Sequence, residues 1–204
     1  MKLQETLVEL RKNEKRKFNQ SIDLIINLKG IDVKRDQINI IVNIPNKIKD
    51  KKVGAFLSVK SKTIDTITEI EFSKYKDKKS LKSLVKGYDY FIAAASLMPK
   101  VAAAFGKVLG PAGKMPTPQL GMITQETDAE IKKTIDKICT SIKIRLKESS
   151  FKLCVGKEDM ADDKIIENIK AIYNAIENAL PKKRENIRNI MLKMTMTKPI
   201  KTEI

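Results

Sequence analysis

The sequence predicts a mixed α and β protein in two parts. Residues 1–49 and 141–204 read as one split α+β domain, a four-stranded antiparallel sheet with two helices. Residues 50–140 read as an inserted three-layer, Rossmann-like α/β domain. Two observations carry this. The terminal segments alternate apolar and polar residues with the period of half-buried strands, whereas the middle sets compact apolar runs between helical periodicities. Each terminal segment alone offers two strands and a helix, too little to be stable by itself, so the two are expected to share a core.

Residues 2–16 read as an amphipathic helix with Leu3, Leu7 and Leu10 on one side. FNQSIDLIINLKG follows, with Ile22, Leu24, Ile26 and Leu28 on one strand face and Ser21, Asp23, Asn27 and Lys29 on the other. A loop, IDVKRDQ, leads to a second strand over 38–44, ended by Pro45. In the tail, SIKIRLK alternates Ile142, Ile144 and Leu146 against Lys143, Arg145 and Lys147. The helix 162–180 has acids in its first turn, Pro181 past its end, and a stripe of Ile165, Ile169, Ile172, Ile176 and Leu180. A last strand is expected over 187–197.

In the middle, VGAFLSV (53–59) and YDYFIAAA (88–95) are apolar runs of the kind buried on both faces of a parallel sheet. SLKSLVK stops at Gly87, and PKVAAAFGKVL stops at Gly110-Pro111, which predicts Gly110 as a helix cap. Thr127 and Glu130 predict a capping box at the start of a third helix.

The net charge is +16, from 41 basic and 25 acidic residues. Such a field favours polyanions, nucleic acid or acidic membrane, although a lysine-rich surface is also simply well solvated. RKNEKRK (11–17), Lys143/Arg145/Lys147 and Lys182-Lys183-Arg184 are candidates to approach one face. The chain has no histidine, which removes Ser-His-Asp and Cys-His machinery and His-based zinc sites. Cys139 and Cys154 form no C-x-x-C pair. No catalytic residue, metal or cofactor is expected. The polar start and the lack of an 18-residue apolar run predict a soluble cytoplasmic protein without a membrane partner.

GPAGKMPTPQ (110–119) has the look of a phosphate loop, G-x-x-x-x-G-K-[ST], but Val108 stands at its first glycine and Met115 at its hydroxyl. With no G-x-G-x-x-G at the first α/β strand either, a nucleotide-binding enzyme lacks its motifs. A DNA-binding regulator would need a basic recognition helix, and helix 162–180 carries more acids than bases.

The order of elements, with LGPAGKMPTPQ after the second α/β helix, resembles the ribosomal protein L-one family in its archaeal or eukaryote-like form. FNQSIDLIINLKGID, DYFIAAASLMPKVAAAFGKVLGPAGKMPTP, LCVGKEDMADDKIIENIKAI and LKMTMTKP carry the resemblance over nearly the whole chain. It implies a non-enzymatic protein of the large ribosomal subunit, monomeric outside the ribosome. The split domain would hold the rRNA helices of the mobile side stalk, and the inserted domain would face the exit-site tRNA. Family members also commonly repress their own mRNA.

Carried over, the RNA face is Phe18, Gln20, Ser21 and Asp23 beside Thr195, Met196, Thr197 and Lys198. Short hydroxyl and amide groups on strand edges suit the shallow groove and 2′-hydroxyls of A-form RNA. Phe18, Met194 and Met196 would equally serve as sheet core if they pointed inward. Gly110, Lys114 and Met115 would form a tRNA-facing loop, with rigid prolines projecting Lys114 outward, the alternative for each being a purely structural loop residue. Three departures from the family pattern stand out. Thr197 replaces a glycine, Pro45-Asn46-Lys47 replaces Pro-His-Gly, and the crossover KSKTID is too short for the family's helix.

Overall fold

The computed structural model describes residues 1–12, 16–32, 36, 38–61, 63–75, 77–146 and 148–203, without the side chains of 73, 74 and 78. Among the described residues it combines one parallel and two antiparallel sheets with five α-helices. Contacts divide the chain into two compact units, Met1–Ile48 with Thr140–Ile204, and Lys49–Cys139.

In the first unit, β1 (Ser21–Leu28) is central. It pairs antiparallel with β8 (Ser150–Lys157) on one side and β9 (Ile187–Met194) on the other, and β10 (Ile200–Thr202) completes the sheet beside β9. The alternation seen in β1 is real: Ile22, Leu24 and Ile26 are fully buried while Ser21, Asp23, Ile25 and Asn27 are half-exposed. Two helices cover the buried face. These are α1 (Leu3–Arg11), through Leu3, Leu7 and Leu10, and α5 (Asp162–Ala179), through Ile165, Ile169, Ile172 and Ile176.

The expected four strands are not the observed four. β2 (Asn39–Asn43) and β7 (Ser141–Arg145) pair with each other in a separate two-stranded sheet, and 150–157 and 200–202 take their places in the large one. Gly156 explains why β8 is hard to read. A Cβ there would lie 2.9 Å from Ile165 Cγ1, so the glycine, which looks like a strand breaker, lets α5 sit on the strand. The first helix is also shorter than 2–16, and residues 13–15, in RKNEKRK, lie outside the described residues. So do Lys147, Lys62 in KSKTID, and parts of IDVKRDQ and SKYKDKKSLK.

Asn168, fully buried in α5, ties three pieces of this unit together. Its Oδ1 accepts the Asn46 amide at 3.0 Å, and its Nδ2 donates to the carbonyls of Asn46 and Val155, both at 3.0 Å. The Asn46 side chain in turn donates to Lys164 O and Glu167 Oε2. Asn46 thus anchors the exit of β2 to α5.

The second unit is built on a parallel sheet in the order β4-β3-β5-β6. Its strands are β3 (Val53–Phe56), β4 (Asp65–Ile67), β5 (Tyr90–Ala94) and β6 (Met122–Ile123). Its helices are α2 (Lys78–Gly87), α3 (Met98–Ala112) and α4 (Asp128–Thr140). No helix joins β3 to β4 among the described residues, in keeping with the short KSKTID crossover. Phe56, Phe91 and Phe105 are nearly or fully buried; Phe91 stacks on Phe56 at 5.3 Å between centroids, and Phe105 packs tilted against it at 5.0 Å.

Two local expectations need correction. Gly110 does not cap α3; the helix continues through Pro111, and Gly113 at φ +71° forms the left-handed end. The Gly113 amide reaches Gly110 O, and the Lys114 amide reaches Leu109 O. At α4, Glu130 Oε2 accepts the Gln125 amide at 3.0 Å, two residues before the Thr127 amide that a capping box would use.

Removing the second unit tests whether the two terminal segments fold together. Asn43 and Ser141 are register partners, and Ile44 N donates to Thr140 O at 2.7 Å, so the two junctions lie side by side. A short Gly/Ser bridge in place of residues 50–140 costs little loop entropy across such a gap. The bridged protein is expected to melt cooperatively by circular dichroism. A non-cooperative trace would mean that the segments need the middle to fold.

Candidate nucleic-acid interface

Because β1 and β9 run antiparallel, the start of one meets the end of the other. Ile22 pairs with Met194, which brings Ser21 against Thr195 from 174 residues away. The contact is triple. Thr195 N donates to Ser21 O at 3.1 Å, Ser21 N donates to Thr195 Oγ1 at 3.0 Å, and that hydroxyl donates back to Ser21 O at 3.4 Å.

β9 ends at Met194, three residues short of the expected 197, because the chain turns there. Thr197 N donates to Met194 O at 3.2 Å, and Thr197 Oγ1 accepts the Met194 amide at 2.8 Å. The hydroxyl at the family's glycine position is therefore engaged within the turn, and Thr197 has no positive φ. Met194 is buried core, whereas Met196 and Phe18 are 62% and 50% exposed. Thr195 and Lys198 are exposed as well.

Gln20 differs from its neighbours. It is 2% exposed, and its Oε1 accepts the Met196 amide at 3.3 Å. Its amide group faces the protein rather than a ligand. Asp23 lies opposite Lys193 on β9 and Cys154 on β8. Burial, with the Asp23 charge beside it, pushes the Cys154 thiol up, so it stays protonated at neutral pH. Lys193 and Cys154 were not legible as neighbours of Asp23. Only strand register places them there, and register is not written in one strand's alternation.

Two of the three basic clusters do not converge on this tip. Lys182, Lys183 and Arg184 precede β9 and stand at the opposite end of that eight-residue strand from Thr195. Lys143 and Arg145 lie on β7, where they line a groove with Lys152. Beside the tip in sequence or strand register are Arg16, Lys17, Lys157, Lys193 and Lys198.

The loop 110–119 is arranged differently from the expectation. Lys114 does not project outward. Its ammonium donates to Val85 O and Tyr88 O, both at 2.7 Å, closing the end of α2, whose free carbonyls attract a cation. Gly110 is exposed and Met115 half-buried. In the same unit, the loop after β3 has amides that could cradle an anion, but Glu126 already fills them. Its carboxylate accepts Ser58 N at 2.9 Å, Ser58 Oγ at 2.8 Å and Val59 N at 3.3 Å. Among the described residues, no cluster of three or more His, Cys, Asp or Glu could hold a metal ion, and no helix is long and apolar enough to cross a membrane.

Comparison with known proteins agrees with the resemblance. The Ribosomal protein L1p/L10e family matches residues 10–198. Among similar curated proteins, the large ribosomal subunit protein uL1 of Archaeoglobus fulgidus is 34% identical over 96% of this chain and 94% of its own length. Those of Korarchaeum cryptofilum and Pyrococcus horikoshii are 35% and 32% identical, over 92% and 99% of this chain and 87% and 95% of their own lengths. The chain belongs to the ribosomal protein L1p/L10e family.

Proposed function

We propose that this chain is a structural, non-catalytic protein of the large ribosomal subunit that binds rRNA through the joined ends of β1 and β9. The observation that carries the proposal is a pair of exposed apolar side chains, Met196 on a turn tied by Thr195, Ser21 and Thr197, and Phe18 in the segment that leads into β1. Apolar side chains presented on a fixed backbone suit stacking on unpaired bases and packing on ribose, and the surrounding lysines suit phosphates. The first unit would then be the split RNA-binding domain and the second an inserted Rossmann-like domain.

On the ribosome, the RNA held would be the side-stalk helices, and the inserted unit would face the exit-site tRNA and take part in its release. The exposed part of the 110–119 loop would offer Gly110 and backbone there, since the Lys114 ammonium is engaged. The same tip would recognise a stalk-like element in the protein's own mRNA and so repress its translation. An mRNA fragment of that kind should therefore compete with rRNA rather than bind beside it.

The experiment is a titration of a stalk-type rRNA fragment against salt. With several phosphates neutralised, log K is expected to fall against log salt with a slope of roughly −3 or steeper. A flat response, or equal affinity for unrelated duplex DNA, would defeat the proposal.

A further inference from the structure

The exposed turn is supported from behind by a polar chain that runs through three elements. Gln20 Oε1 accepts the Met196 amide. The Gln20 amide nitrogen and its Nε2 both donate to Glu158 Oε2 at 3.4 Å, and Glu158 N donates to Gln20 O at 2.9 Å. Glu158 begins the loop between β8 and α5, and the guanidinium of Arg11, at the end of α1, clasps that loop. Its Nη1 donates to Glu158 O at 2.7 Å, its Nη2 to Met160 O at 2.8 Å, and its Nε to Asp162 Oδ1 at 2.8 Å.

We infer that Glu158 and Arg11 are positioning residues for the RNA-binding turn, acting through the buried side chain of Gln20. The inference rests on the proposed RNA role of Phe18 and Met196 and adds what fixes their presentation. Gln20 can brace the Met196 amide only while its own amide group is oriented, and Glu158 Oε2 accepts from its Nε2 at 3.4 Å. Glu158 keeps that place because Arg11 holds the loop with a planar fork of donors that lysine cannot reproduce.

The sign of the effect separates positioning from charge. Removing an acid near a polyanion site should tighten binding by electrostatics alone. If Glu158 positions the turn, Glu158→Ala should instead weaken binding of a stalk-type rRNA fragment by about fivefold, the scale of one net hydrogen bond. Glu158→Gln, whose carbonyl oxygen still accepts from Gln20 N, should recover most of the loss. Arg11→Lys leaves the charge unchanged and should weaken binding like Glu158→Ala, and it serves as the second variant if the alanine protein does not fold.

Amide hydrogen exchange at Met196 in the free proteins supplies a readout independent of RNA. Glu158→Ala and Arg11→Lys should speed it, and Glu158→Gln should restore protection. Affinity that is unchanged or higher in these two variants overturns the inference. So does weaker binding with Met196 exchange unaltered. If the unmodified protein fails to bind the rRNA fragment, the RNA proposal falls, while the exchange data still judge the brace.

Discussion

A Phe18→Ala, Met196→Ala double variant is expected to bind stalk-type rRNA about a hundredfold more weakly than the unmodified protein, with its melting temperature almost unchanged. Both side chains are exposed in the free protein, at 50% and 62%, so truncating them removes little from the core. Stacking of a base on an aromatic side chain is worth about 1–3 kcal/mol, and a methionine packed on ribose adds a further fraction. Together, about 2.7 kcal/mol corresponds to the hundredfold loss.

Met194→Ala supplies the contrast. Only two residues away but just 1% exposed, it should cost about 2–5 kcal/mol of stability. Titration and thermal melts of both variants decide the matter. Equal RNA affinity in the double variant would remove the tip as the RNA site. A melting temperature that falls with the affinity would make Phe18 and Met196 part of the fold.

What the sequence made legible follows physical range. The phase of β1 and the stripe of α5 depend on nearest neighbours along the chain, and Ile22, Leu24, Ile169 and Ile172 lie where alternation and periodicity put them. Pairing between strands depends on contacts more than a hundred residues apart. The sequence showed that 38–44 and 142–146 were strands, but not that they would pair with each other. β8 is not legible because Gly156, Lys152 and Cys154 blur its alternation, although the glycine is there to admit Ile165.

At the tip, residue type suggested the right neighbourhood and misled about orientation. Gln20 and Lys114 both read as polar groups available to RNA. Gln20 is turned inward to hold Met196, and Lys114 is turned back on the end of α2. A side chain's direction is set by the partner it finds, and those partners, the Met196 amide and the Val85 and Tyr88 carbonyls, are backbone groups invisible in a string of side chains. The roles of Glu158 and Arg11 are illegible for the same reason, since Arg11 mostly binds carbonyls.

Asn168 gave no signal either, and it is where a single change should do most damage to the fold. It follows Ile165 by three residues and precedes Ile172 by four, so it belongs to the buried stripe of α5 despite being polar. Asn168→Leu keeps the volume and removes all three hydrogen bonds, leaving Asn46 N, Asn46 O and Val155 O without their partner. With about 1–3 kcal/mol for each polar group left unsatisfied, and water able to reach half-buried Asn46, the expected loss is about 3–4 kcal/mol. That would lower the melting temperature by roughly 10–20 °C.

Asn168→Asp makes the same point through pH. Its carboxylate would face two carbonyl oxygens inside the core, so its folded pKa must rise above the unfolded value of about 3.9. A group whose pKa is raised on folding contributes most below the unfolded pKa and loses that contribution as pH rises through the folded one. The aspartate protein should therefore lie closest to the unmodified protein near pH 4, where a protonated acid can still donate one hydrogen bond, and fall away from it towards neutrality. Denaturant melts of the unmodified and both variant proteins across pH 4–8 provide the measurement. A leucine variant as stable as the unmodified protein, or an aspartate variant whose deficit does not grow with pH, would show that the Asn46–Asn168–Val155 bonds do not hold β2, α5 and β8 together.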